Sequence, residues 1–133
     1  MLWNVHVDQV TPILNVSDLP ASFEWFGKLG WLKGFEWCPP DSPAPVFGSV
    51  AADDHEIFLC LDDQGGRGEH GVWVSVWVDD VDQVHAVCLR EGIEVIDAPD
   101  DKPWGVREMH LRHPDGHVFR ISTDADAHDH DDD

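Results

Sequence analysis

The sequence predicts an α+β fold built from two βαβββ modules, and three observations carry that prediction. The chain matches itself at a shift of 62 residues. "NVSDLPASFEWFGKLGW" (15–31) lies over "WVDDVDQVHAVCLREGI" (77–93), and "HEIFLCL" (55–61) lies over "HVFRIST" (117–123). Asp18 then falls on Asp80, Gly30 on Gly92 and His55 on His117, and one offset serving both ends marks a repeated supersecondary unit. The stretch "HGVWVSVWVDD" (70–80) alternates Val72, Val74, Val76 and Val78 with Trp73, Ser75 and Trp77. Strict alternation is a strand pattern, with successive side chains on opposite faces. Finally, each half carries apolar residues at helical spacing between an aspartate and a glycine.

The elements follow in order. A first apolar strand ends at Ser17-Asp18, whose carboxylate can cap the helix "LPASFEWFGKLG", stopped at Gly30. Phe23, Trp25 and Phe26 on that helix are assigned to the core. Three strands follow near 33–38, 45–51 and 55–61. "DDQGGRGEH" (62–70) is a glycine-rich linker. The second unit repeats the plan: the strand 72–78, a cap at Asp79-Asp80, the helix "VDQVHAVCLREG" ending at Gly92, and strands near 93–97, 106–112 and 117–122. "HPDGH" (113–117) reads as a hairpin turn, because Asp-Gly takes the positive φ such turns need. The modules thus run from about 8 to 62 and from about 70 to 122, within one domain of residues 1–123. "DADAHDHDDD" (124–133) reads as an acidic, disordered tail.

Composition narrows the function classes. The 133 residues are 42% hydrophobic, enough for a sizeable core. Formal charge is −19, from 27 acidic and 8 basic residues. Without the six aspartates of the tail, 21 acids still face those 8 bases, so the folded body itself is acidic. Such a field repels nucleic acid and anionic membrane and attracts cations; high-salt or solubility adaptation accounts for it equally well. No run of eighteen apolar residues and no basic leader occur, so no membrane partner and a cytoplasmic location are expected. Cys38, Cys60 and Cys88 form no CxxC pair, which favours reduced thiols.

The residues "TPILNVSDLPASFEWFGKLGW", "VSVWVDDVD" and "PWGVREMHLRHPDGHVFRI", with the repeat, resemble the vicinal oxygen chelate superfamily of glyoxalases, extradiol dioxygenases and bleomycin-resistance proteins. "TPILNVSD" and the Trp-Gly loop are most similar to the bleomycin-resistance type. The resemblance implies paired modules that form a cupped mixed sheet around a cavity, usually in a homodimer. It also implies a divalent metal held by the first and last strand of each module. Those positions fall here on Thr11, Trp73, Phe58 and Arg120, with 62 residues separating each equivalent pair. Trp and Arg offer a cation no lone pair, so this set is a poor metal site and no cofactor is expected. Glu108 and His110 share a strand face and are the alternative carboxylate–imidazole pair. His128 and His130 in the tail are weaker metal candidates.

Strand parity assigns the remaining candidates. Trp73, Ser75 and Trp77 face the cup, as do Val118, Arg120 and Ser122 on the last strand, while Phe119 and Ile121 face the helices. Phe58 joins the lining, Trp37 and Phe47 form a rim, and Trp104 in "KPWG" stands at the mouth. The rings are expected to stack on the ligand, Arg120 to meet an acceptor on it, and Glu108 or nearby surface acids to meet a cation. The alternative core reading packs Trp73 and Trp77 against each other or against a dimer partner. The sequence thus points to a metal-free protein sequestering a bulky aromatic, cationic guest, a bleomycin-like antibiotic or another aromatic metabolite. The competing reading is a glyoxalase- or dioxygenase-like enzyme with a non-standard metal set around Glu108 and His110.

Overall fold

The computed structural model describes residues 5–62 and 65–125. It contains β1 (Ile13–Asn15), α1 (Leu19–Lys28), β2 (Leu32–Trp37), β3 (Phe47–Ala52) and β4 (His55–Cys60) in the first module. The second has β5 (Trp73–Trp77), α2 (Val81–Glu91), β6 (Val95–Asp101), β7 (Val106–Arg112) and β8 (Val118–Asp124). Each module forms one mixed four-stranded sheet, in the orders β1-β4-β3-β2 and β5-β8-β7-β6. The first and last strands pair in parallel, and the remaining neighbours are antiparallel. The fold is therefore the predicted pair of βαβββ modules. β6 reaches four residues beyond the predicted strand end, and β8 continues through Asp124, one residue past the predicted domain boundary. Most of the proposed tail, with His128 and His130, lies outside the described residues.

The repeat is physical as well as textual. Asp18 and Asp80 cap their helices with nearly the same backbone, φ −148° and ψ 105° against φ −147° and ψ 102°. The Asp18 carboxylate accepts from the Ala21 amide, and that of Asp80 from the amides of Asp82 and Gln83. These are donors that a helix start otherwise leaves unpaired. α2 stops at Gly92, whose φ of 73° lies in the left-handed region. α1 instead caps at Leu29, and Gly30 takes the positive φ one residue later.

One face of each sheet packs on the helices, and the two modules share a core. Leu14, Val50, Ile57 and Leu59 from the first sheet join Met109, Leu111, Phe119 and Ile121 from the second. Trp25 and Phe26 of α1 reach across the boundary to Phe119, at ring-centroid distances of 5.3 and 5.6 Å. Both lie in the buried core, as assigned from sequence, and the half-buried Phe23 packs against it.

The "HPDGH" turn clasps the modules together. Asp115 accepts from the amide and the hydroxyl of Ser17, at 2.9 and 2.7 Å. His113 accepts the Asp115 amide at Nδ1, so its Nε2–H donates to the Ser22 hydroxyl at 3.0 Å. His117 accepts the Val72 amide at Nδ1 and donates from Nε2 to the Asn15 carbonyl at 2.7 Å. Both imidazoles are fully buried and neutral in this pattern. Gly116 has φ 91°, and an added Cβ would meet the Gly68 backbone at 2.4 Å, so only glycine lets linker and turn touch.

Candidate functional site

Parity holds on the second sheet. Val74 and Val76 pack toward the core, while Trp73 and Trp77 point the other way and are 63% and 62% exposed. Trp73 pairs in register with Val118, Ser75 with Arg120, and Trp77 with Ser122. Across β8, Arg120 faces His110 and Ser122 faces Glu108. Trp104, on the loop between β6 and β7, is 61% exposed.

Beneath these indoles lies a charged network centred on Glu108, which is 4% exposed. Its Oε1 accepts from Arg120 Nε at 3.1 Å and Nη2 at 3.0 Å, and from Trp104 Nε1 at 3.3 Å. Its Oε2 lies 2.9 Å from His110 Nε2, while His110 Nδ1 lies 2.7 Å from Asp97. Burial alone would raise the Glu108 pKa; hydrogen bonds from His110, Arg120 and Trp104 outweigh it and hold the carboxyl below its usual value. The Trp73 ring stands edge-on to His110 at 5.2 Å. Rings and charges here form one preorganised surface.

This geometry revises the expected roles. Glu108 is buried and holds three partner side chains, so it has no free oxygen for a ligand cation. Arg120 pairs with Glu108 through Nε and Nη2 and is 39% exposed. Asp97, exposed at the edge of the network, is the carboxylate within reach of solvent.

The first sheet shows a second aromatic face. Phe47 and Phe58 lie 5.3 Å apart, and Phe35 lies 5.9 and 5.8 Å from them, forming a three-ring cluster. Trp37 pairs in register with Phe47 and is 53% exposed. Thr11 sits just before β1, its hydroxyl accepting from Gln9. Phe58 therefore gathers with Phe35 and Phe47 on one sheet, and Trp73, Trp77, Trp104, Arg120, Glu108 and His110 gather on the other. Trp73 also departs from the core reading, since its ring partner is His110.

The superfamily's metal is poorly served by this chain. Thr11, Phe58, Trp73 and Arg120 provide one neutral hydroxyl, two hydrocarbon faces and a cation. Glu108 and His110 do meet, but His110 lies between two carboxylates, with Nε2 on Glu108 and Nδ1 on Asp97. Among the described residues no group of three or more His, Cys, Asp or Glu converges as a metal site.

Two functional-face residues escaped the sequence reading. Phe35 follows a bulge in β2, between Lys33 and Glu36, and Asp97 sits between two bulges in β6. Bulges break the two-residue period by which faces are assigned. The Phe35–Trp37 alternation was the available signal for the first.

The family model for the Glyoxalase/Bleomycin resistance protein/Dioxygenase superfamily matches residues 6–121. The chain belongs to this superfamily. Among solved structures it is similar to a superfamily member from Sphaerobacter thermophilus, at 22% identity and TM-score 0.73, covering 89% of this chain and 98% of that one. It is similar to a bleomycin resistance determinant encoded on the transposon Tn5, at 19% identity and TM-score 0.73, with 89% and 98% covered. A bleomycin-binding protein complexed with bleomycin matches at 19% identity and TM-score 0.70, with 89% and 99% covered. These likenesses show the fold. No curated protein matches by sequence. No helix among the described residues is long and apolar enough to cross a membrane.

Proposed function

We propose that this superfamily member binds a bulky, flat, cationic small molecule of the bleomycin type and sequesters it without chemical change. The observation that carries the reading is the pair of outward aromatic faces, Phe35, Phe47, Phe58 and Trp37 on one sheet and Trp73, Trp77 and Trp104 on the other. Five of these rings, Phe35, Trp37, Trp73, Trp77 and Trp104, are exposed, and that many exposed rings support a binding surface. Ring stacking contributes roughly 0.5–1.5 kcal/mol per pair beyond burial, and a cation over an indole adds about 0.5–2 kcal/mol. The acidic body favours encounter with a cation. That structures named for bleomycin resistance and bleomycin binding share the fold supports the choice of guest.

Both aromatic faces point away from the core that joins the modules, so the cup closes in a homodimer. The Phe58 face of one protomer meets the Trp73 face of its partner, and the guest sits between them. Two such sites form per dimer by two-fold symmetry.

Titration with bleomycin, followed by tryptophan emission and by sedimentation velocity, tests both parts. The expected result is a dimer without ligand and saturable quenching at micromolar bleomycin or below. No quenching up to high micromolar bleomycin argues against the guest, and a monomer at tens of micromolar protein argues against the shared cup. One tightly held divalent ion per subunit, surviving removal of residues 126–133, would favour the enzyme reading instead.

A further inference from the structure

We infer that Ser122 is the polar anchor of the aromatic site, a hydroxyl left unpaired in the free protein so that a bound guest can pair with it. The inference rests on the binding function proposed above and adds to it the kind of group the guest must present.

The Ser122 hydroxyl oxygen is fully buried and has no hydrogen-bond partner, alone among buried side-chain polar atoms of the described residues. Folded proteins seldom tolerate this, because a buried hydroxyl stripped of water and given no partner is destabilising. The other buried hydroxyls here are satisfied. Ser22 meets His113, Ser49 accepts the Phe35 amide, and Thr123 accepts the Val81 amide and donates to the Val78 carbonyl. The exception lies on the functional face, in register with Trp77 on one side and Glu108 on the other.

Its neighbours cannot serve it. Glu108 is turned to Arg120, Trp104 and His110. Arg120, two residues along the strand, is committed to Glu108. The neighbour in register with Ser122 that has room to move is Trp77, while Trp104 stands over Glu108, the neighbour on the other side. Trp104 is tethered only by the longest bond in the network, 3.3 Å, and Trp77 is largely exposed.

A flat heteroaromatic whose edge carries an amide, amine or ring nitrogen satisfies the site. Its face stacks on an indole while its edge reaches Ser122, which can donate or accept. A pure hydrocarbon of the same shape leaves the hydroxyl orphaned. This is how an aromatic site distinguishes polar-edged guests from greasy ones.

The test compares Ser122→Ala with wild type, and Glu24→Gln, exposed on α1 behind the sheets, as a control. Ser122→Ala is expected to melt about 2–6 °C higher without ligand, because an orphaned group is gone. Its affinity for bleomycin should fall about five- to tenfold, because the anchor has gone too. Glu24→Gln should change neither. Stability and affinity moving in opposite directions is a result that a purely structural serine would not produce. An unchanged or lowered melting temperature overturns the inference, as does bleomycin affinity within twofold of wild type. If wild type itself binds no bleomycin, the proposed function and the anchor fall together; if wild type and Ser122→Ala bind equally, only the anchor falls.

Discussion

On the outward face of the first sheet, Phe35, Phe47 and Phe58 pack ring against ring with no charged group in the cluster. On the matching face of the second, Trp73 and Trp104 touch a network of Asp97, His110, Glu108 and Arg120. The helix caps, sheet orders and core faces behind them are nearly the same. A duplicated unit has thus kept what holds it together and diverged on its outward faces. One face offers apolar area alone, whereas the other adds hydrogen-bonding edges held in fixed positions.

Substitutions can sharpen this contrast by separating the shared back from the divergent fronts. The largest effect belongs to the back. Phe26 is fully buried against Trp25, Trp31, His113 and Phe119. Phe26→Ala should cost about 3–5 kcal/mol in urea unfolding, through lost transfer energy and the cavity it leaves.

Acid should loosen the same region next. Burial, aided by His117, pushes the His113 pKa from 6.5 down to about 4, although Asp115 partly opposes this. The unfolded chain therefore takes up the proton first as pH falls. The stabilisation is full above about pH 6.5 and lost progressively toward pH 4, amounting to about 3 kcal/mol. Urea curves at pH 7 and pH 5 should differ in this sense. Equal midpoints would show that the clasp does not feel the proton.

The front of the second module comes third. Glu108→Gln removes the charge that Arg120 and His110 share, and should cost about 1–2 kcal/mol, since Arg120 is partly exposed. The smallest stability effect belongs to Trp73→Ala, expected within about 0.5 kcal/mol of wild type because the ring is mostly in water. Its affinity for bleomycin should nonetheless fall about fivefold or more. Similar binding losses in Trp73→Ala and Phe58→Ala would show that both walls grip the guest. A loss confined to Trp73→Ala would assign the grip to the second module.

Sequence information reached different depths in different places. Caps and core were legible because they are local: Asp18 and Asp80, Val74 and Val76, Trp25 and Phe26 announce themselves by spacing. The outward direction of Trp73 and Trp77 followed from parity for the same reason. What could not be read was how the two faces relate, since a repeat specifies each unit and not their mutual orientation. Phe58 and Trp73 therefore separated onto different sheets. Asp97 and Phe35 were hidden by bulges, whose extra residue erases alternation. The occupation of Glu108 by Arg120 depends on cross-strand register and has no trace in composition.

The three thiols divide sharply by environment. Burial raises the pKa of Cys88 to about 11, and burial together with Asp62 raises that of Cys60, which makes both sluggish nucleophiles. Cys38 is exposed, one residue beyond Trp37 at the end of β2. A maleimide dye offered to the native protein should couple there alone. The chain thereby carries its own attachment point for a probe at the rim of the phenylalanine wall, with no engineered cysteine required.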